Sequence, residues 1–331
     1  MSFISIALTG FLLAFIFSLY FVPLMRKAAL KWGVVDAPDG RLKDQKEPVP
    51  YLGGVGIYLS FLLALSIVFD FSPQVLGLLL AGTIMLLIGL VDDFGVLSPF
   101  QKLMGQFLAS VVLVKSGIYI QIEWLPLWVT IPITFFWLLA VINAVNIIDI
   151  MDGLSSSVAL SAALVLFAVA AINGHSTIGV LTLTLAGSLA GFLIFNAKPA
   201  KIYMGDTGSL FIGLMLGALA MSGSYTQENQ LGFLTPLIIL GVPLFDTLFV
   251  MIVRKIKGLP MFLGSPDHYA LRLKRKGLGV NAVVLISSLS GLMLGGIGIA
   301  NMFLPLNISA IMIASLFLLA FISMFLLYRL K

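Results

Sequence analysis

Apolar runs long enough to cross a bilayer occupy most of this chain. A bilayer core is about 30 Å thick and takes roughly 20 apolar residues of α-helix. Runs near that length recur throughout the 331 residues. Inside lipid each segment must satisfy its own backbone hydrogen bonds, so such runs predict an all-α polytopic membrane protein. Eleven spans are expected, at about 3–24, 51–69, 74–91, 101–116, 127–146, 154–172, 176–195, 207–223, 232–255, 279–300 and 304–328. They form one integral-membrane domain over 1–331, with no soluble domain and no internal repeat. Charged residues are 10% of the chain, against about 25% in soluble domains, which excludes an ordinary soluble enzyme. A chain 60% hydrophobic is not disordered. With no cysteine, disulfides, zinc–thiolate sites and thiol catalysis are excluded.

The charges predict the orientation. No Lys or Arg precedes the first span, and Arg26 and Lys27 follow it. A signal peptide has the opposite order, so this reads as a retained helix. When the loops are alternated, all 19 Lys and Arg except Lys115 fall on one side. The positive-inside rule then puts the N-terminus outside and the C-terminus in the cytoplasm. The net charge of +5 suits anionic headgroups and calls for no nucleic acid.

Of the 14 acidic residues, only Asp70, Glu123 and Glu228 fall on the outer side. Asp92, Asp93, Asp149, Asp152, Asp206 and Asp246 lie at the cytoplasmic ends of spans, within apolar sequence. One such Asp is explained by solvation of a helix end; six on one face need more. Crowded carboxylates repel one another unless a cation or protons intervene. Oxygen donors without Cys favour a hard ion, and Mg²⁺ fits where phosphates complete its octahedron. Lys and Arg nearby can hold phosphate oxygens. Acids, a divalent cation and basic residues at a membrane surface point to phosphoryl transfer between a lipid and a soluble nucleotide.

Four cytoplasmic segments carry the pattern. The first is Gly89-Leu90-Val91-Asp92-Asp93, followed by Leu97-Ser98-Pro99, Lys102 and Gln106. The second is Asn143-Ala144-Val145-Asn146-Ile147-Ile148-Asp149, then Asp152-Gly153-Leu154. The third runs from Asn196-Ala197-Lys198-Pro199-Ala200 to Met204-Gly205-Asp206-Thr207-Gly208-Ser209. The fourth is Pro243-Leu244-Phe245-Asp246 and, further on, Asp267-His268 with Leu271-Arg272-Leu273. In this order, from about residue 20 to 280, the chain resembles the polyprenyl-phosphate N-acetylhexosamine-1-phosphate transferases of the glycosyltransferase 4 family. The resemblance implies a bundle of ten or eleven spans with its site on the cytoplasmic face of the bacterial inner membrane. It also implies transfer of a sugar-1-phosphate from a UDP-sugar to a polyprenyl phosphate, release of UMP, dependence on Mg²⁺ (with Mn²⁺ as a substitute), and a homodimer.

The branch is read from the same segments. The phospho-MurNAc-pentapeptide transferases look like Gly-Thr-Pro-Thr-Met-Gly-Gly with three consecutive His; here Glu47-Pro48-Val49-Pro50-Tyr51-Leu52-Gly53-Gly54 stands, with one His near the fourth segment. The chain looks more like the undecaprenyl-phosphate GlcNAc-1-phosphate transferases that begin teichoic acid, O-antigen and related glycans. That branch usually shows His-x-His-His-Arg-Leu. Here His268, Arg272 and Leu273 match, whereas Ala270 and Leu271 replace two His, and Ile150 stands where Gly usually follows the Asp.

The resemblance carries roles onto particular residues. Asp206 is the expected metal ligand, the alternative being a cap on span eight. Asn146 is expected to share the ion, its alternative an interhelical hydrogen bond. Asp92 and Asp93 are expected to face the attacking lipid phosphate, and Lys102 to bind it; the alternatives are helix-end solvation and a snorkelling anchor. Asp149 and Asp152 correspond to positions near the nucleotide. Asn146, Asp149 and Asp152 are spaced by three and share a face if the helix continues. Tyr203 matches a uracil-stacking aromatic, or is a belt tyrosine. Asn196 matches a substrate-side position. His268 and Arg272, four apart, are expected to meet the diphosphate, His268 among the catalytic residues. Asp246 has no assigned role, and His175 reads as an outer loop residue. The expected step is direct attack by the lipid phosphate rather than a phospho-Asp intermediate.

Two other classes compete. A CDP-alcohol phosphotransferase needs Ala-Arg after its Asp-Gly, whereas here Leu-Ser-Ser-Ser-Val follows Asp152-Gly153. A transporter favours mid-membrane charge and repeat symmetry between halves, and neither is present in the sequence.

Overall fold

The computed structural model describes residues 2–36, 48–122, 124–260 and 265–330. Glu47, Glu123 and the basic residues Arg41, Lys43, Lys46 and Lys331, used above for the branch and the charge count, lie outside these residues. The described chain is helical apart from a two-residue antiparallel pairing, β1 (Val35–Asp36) with β2 (Val49–Pro50). The helices are α1 (Phe3–Trp32), α2 (Gly53–Val68), α3 (Pro73–Asp93), α4 (Pro99–Lys115), α5 (Leu127–Ile147), α6 (Leu154–Ile172) and α7 (Ser176–Asn196). They continue as α8 (Gly205–Met221), α9 (Thr235–Ile239), α10 (Gly241–Ile256), α11 (Tyr269–Arg275), α12 (Val280–Phe303) and α13 (Leu306–Arg329). Seven of these are long and apolar enough to cross a membrane, or eight if a bent pair is one span. This is an all-α polytopic membrane protein.

Local chemistry sets the helix starts. Ser72 and Ser98 cap α3 and α4, each followed by proline at the first helical position, where a missing N–H costs nothing. Ser98 and Gln101 form a reciprocal capping box that satisfies two open donors. The α1 helix ends at Gly33, whose φ of 71° is the left-handed conformation glycine adopts without strain.

The predicted ninth span differs from the structure. A 3-10 turn (Gln230–Leu234) leads into α9, and the chain then bends by 74° into α10. Pro243 has no N–H to bond the carbonyl of Ile239 four residues back, and Pro236 and Gly241 flank the break. These residues end one helix and start another within a run that hydropathy reads as continuous. The helix carrying Asn146 also stops, at Ile147, so Asp149 and Asp152 lie in the turn before α6 and not on one helical face.

At the centre stands α8. Its residues from Thr207 to Met221 are all buried, as a helix apolar on every side should be in a large bundle. It packs against α3, α5 and α2. By contrast α13 is almost wholly exposed, and α1 is largely so; both keep an apolar outer face for lipid. Because α8 is central, its first turn, Gly205–Gly208, is where the ends of α2, α3 and α5 meet.

Candidate active site

Three helix ends close on that first turn. An added Cβ on Gly54 would lie 2.2 Å from the Gly208 nitrogen, and one on Gly89 would lie 2.4 Å from the Asp206 carbonyl oxygen. Only glycine lets α2 and α3 approach the turn this closely. Gly205 has a φ of 69°, and its Cα faces the Asp93 carboxylate. Asp93 accepts from the backbone N–H of Asp206 at 2.7 Å and of Thr207 at 3.1 Å, and from the Thr207 hydroxyl. It therefore caps α8 from another helix, placing negative charge at the positive end of the helix dipole.

Asp206 is set by that cap. Its Oδ2 is 2.6 Å from the Lys102 Nζ, and its Oδ1 accepts from the Asn146 Nδ2 at 2.6 Å. Lys102 also pairs with Asp92 at 2.7 Å and donates to the Asn146 Oδ1 at 3.3 Å. Behind it, Gln106 and Asn143 exchange hydrogen bonds at 2.7 and 3.3 Å, which ties α4 to α5. Asp92, Asp93, Lys102, Asn146 and Asp206 are thus one connected cluster.

A cleft of about 820 Å³ opens beside the cluster. Asp93, Asn146 and Asp206 line it together with Asp149, Asp152, Asn196 and Tyr203. Asp152 accepts from the Ala200 N–H at 3.2 Å. Burial, together with the charges of Asp206, Asp93 and Asp152, pushes the Asp149 carboxyl up to about 7. Burial likewise raises the Tyr203 phenol, which stays neutral at physiological pH. Asn196 is buried and fully engaged. Its Oδ1 accepts from the Gly153 N–H and the Ser156 hydroxyl, and its Nδ2 donates to the Ile202 carbonyl. It fixes the loop that carries Tyr203 against the start of α6.

His268 and Arg272 do not line the cleft. His268 is 5% exposed and its Nδ1 lies 2.7 Å from the Asp246 Oδ2. Asp246, wholly buried, also accepts from the Tyr269 N–H at 3.0 Å, so it holds the start of α11. Arg272 is 4% exposed and pairs with Asp267 at 2.8 Å. Burial raises the Asp267 carboxyl, but Lys257 and then Arg272 outweigh this and hold it below the ordinary carboxylate range.

The sequence reading missed several cleft residues: Tyr51, Arg26, Lys198, Lys201, Leu271 and Lys274. Tyr51 donates to Asp36 at 3.3 Å, and burial and Asp36 push its phenol up to about 12. Its signal was its place just before Gly53-Gly54, the pair that packs on α8. The basic residues were not singled out one by one because nothing local distinguishes them from the other Lys and Arg on that side.

Among the described residues no group of three or more His, Cys, Asp or Glu converges tightly enough to hold a metal alone. That donor chemistry still fits Mg²⁺, which takes one or two carboxylates and completes its shell with substrate phosphates and water. Lys102 is the cation paired with Asp92 and Asp206, while the Asp149 and Asp152 carboxyls line the same cleft as Asp206.

The family model for glycosyl transferase family 4 matches residues 75–224, which contain the cluster. A probable undecaprenyl-phosphate N-acetylglucosaminyl 1-phosphate transferase of Bacillus subtilis (strain 168) is 30% identical, over 85% of this chain and 81% of the relative. A decaprenyl-phosphate N-acetylglucosaminephosphotransferase of Mycobacterium leprae (strain TN) is 29% identical, over 81% and 77%. A phospho-N-acetylmuramoyl-pentapeptide-transferase of Bacillus thuringiensis (strain Al Hakam) is 32% identical, over 80% and 87%. With the carboxylate cluster inside the matched segment and relatives aligned along most of the chain, this protein belongs to glycosyl transferase family 4.

Proposed function

We propose that the protein transfers N-acetylglucosamine-1-phosphate from UDP-GlcNAc to undecaprenyl phosphate, releasing UMP, at the cytoplasmic face of a bacterial inner membrane. The observation that carries this reading is the position of Asp206. On one side it meets Lys102 and Asp92 at the ends of α4 and α3. Phe100, Leu103, Met104 and Phe107 of α4 and Leu87 and Val91 of α3 are exposed on the two helices that carry the pair, and the lipid phosphate is taken to reach it from that bilayer-facing side. On the other side Asp206 lines the polar cleft with Asp149, Asp152 and Tyr203, where a soluble nucleotide sugar enters. One carboxylate thus borders both approaches, as transfer between a lipid and a water-soluble donor requires.

Phosphoryl transfer is catalysed mainly by positioning and by charge stabilisation. Lys102 draws in the lipid phosphate. That phosphate is already largely ionised near pH 7, so one of its oxygens attacks the sugar-linked phosphorus without a strong base. The new P–O bond forms as the bond to the bridging oxygen breaks, and UMP leaves with the electron pair. Asp93 holds Asp206 in place, and Asp92 holds Lys102 by its charge. Tyr203 offers the uracil a flat face, and Asn196 holds the loop bearing Tyr203. Asp206 and Asn146 are the residues that would hold Mg²⁺, or Mn²⁺ with the same oxygen donors. When bound, the ion neutralises charge on the phosphate oxygens and the departing UMP.

The test is UMP release by the purified protein in detergent, with Mg²⁺ and undecaprenyl phosphate, offered UDP-GlcNAc or UDP-MurNAc-pentapeptide. Release from UDP-GlcNAc alone is the expected result. Release from the pentapeptide donor alone would move the protein to the branch of its Bacillus thuringiensis relative. Exchange of labelled UMP into UDP-GlcNAc without lipid acceptor would overturn direct attack.

A further inference from the structure

The short helix α11 has two faces with different tasks. Tyr269, Ala270 and Arg272 are buried at 8%, 0% and 4% exposure. The Tyr269 hydroxyl donates to Ser287 of α12 at 2.7 Å. Arg272 lies over the Phe249 ring, 5.3 Å from its centroid. Its Nη1 donates to the carbonyls of Leu327, Tyr328 and Leu330 at 3.0, 3.1 and 3.0 Å. Its Nη2 bonds Asp267, and its Nε donates to the Asp267 carbonyl at 3.3 Å. Every guanidinium nitrogen therefore has an acceptor within the protein. Three of those acceptors are carbonyls at the C-terminal end of α13, where a helix leaves acceptors open and its dipole favours a cation. Arg272 joins α11 to α13.

The opposite face meets the cleft. Leu271 and Lys274, three apart and so neighbours on one helical face, line it beside Ile150, Met151 and Asp152. A nucleoside diphosphate entering a cleft that already holds Asp36, Asp93, Asp149, Asp152 and Asp206 must meet cations. Among the described residues, four basic ones line the cleft: Arg26, Lys198 and Lys201 are exposed, and Lys274 is partly buried. Partial burial strengthens an ion pair that water would otherwise screen. Lys274 also rides on a helix pinned at its start by Asp246 and along its back by Arg272.

We infer that Lys274 is the substrate-facing cation of the fourth cytoplasmic segment, taking the diphosphate of a nucleoside-diphosphate sugar, and that Arg272 is a positioning residue that fixes it there. The choice of ligand rests on the function proposed above. Lys274 has a protein partner of its own, which the phosphate displaces or shares.

The experiment compares full-length wild type, Lys274→Gln, Lys274→Arg and Arg272→Gln in detergent, by calorimetric binding of UDP without lipid, by UMP release and by Tm. Lys274→Gln is expected to weaken UDP binding by about tenfold or more, the loss of one charge-assisted contact. Its Tm and its KM for undecaprenyl phosphate should not change, and Lys274→Arg should recover most of the binding. Arg272→Gln should lower the Tm. Equal UDP affinity in wild type and Lys274→Gln overturns the assignment, as does weakened UDP binding in Arg272→Gln at unchanged Tm. If wild type releases no UMP yet binds UDP in a manner sensitive to Lys274→Gln, the proposed function falls and the assignment of Lys274 stands.

Discussion

At the scale of single residues, charge is the organising quantity. Asp149 is a partly buried carboxylate facing Asp206, Asp93 and Asp152, and its proton is held up to about pH 7. An unfolded Asp titrates near 3.9, so between roughly pH 4 and 7 the folded state binds the extra proton. The stability this group contributes is therefore full below about pH 4 and is lost as pH rises through 7. Without divalent cations, the Tm in detergent should fall across that window, and Asp149→Asn should flatten the fall. An unchanged slope in the variant would remove Asp149 as the source. Asp92, Asp93 and Asp206 were legible in the sequence because apolar surroundings made each one costly, and Asn146 because it stands in the second of the family-like segments. His268 and Arg272 were equally legible as motif residues, yet they pack away from the cleft. Sequence spacing puts residues on one helix but does not tell its buried face from its open one.

Helices meet at this site through small residues and one shared cap. Asp93 terminates α3 and begins α8 at once, so the two helices are positioned by the same carboxylate. Asp93→Ala should cost about 0.5–2 kcal/mol, the usual range for a lost cap. It should also lower turnover more than the Tm change explains, because Asp206 shifts with the α8 start. Gly54→Ala should destabilise by roughly 1–3 kcal/mol, the cost of overpacking, since its Cβ meets the backbone of Gly208. Denaturant or thermal unfolding in detergent checks both; wild-type stability in Gly54→Ala would mean α2 and α8 stand further apart. Most helices were legible because hydropathy runs and Ser-Pro starts mark their ends. The break between α9 and α10 was written in Pro236, Gly241 and Pro243, but the run stays apolar across it, and hydropathy averages over backbone chemistry.

For the whole molecule, the loops expected on the cytoplasmic side supply the cleft: residues before α2, after α5 and α7, and around α11 all line it. Sidedness itself is a prediction from the basic residues. The absence of cysteine makes it easy to test. In intact spheroplasts, a membrane-impermeant maleimide should label His175→Cys and spare Lys198→Cys until the membrane is opened; the reverse pattern would invert the topology. In the proposed function, what joins the bilayer side to the water side is one carboxylate at the head of the central helix. The most direct test of that claim is UMP release by Asp206→Asn with saturating UDP-GlcNAc, undecaprenyl phosphate and Mg²⁺. The account predicts a loss of at least about 100-fold, the scale of a single electrostatic group in such a site, with the Tm close to wild type. Turnover within a few fold of wild type would contradict it.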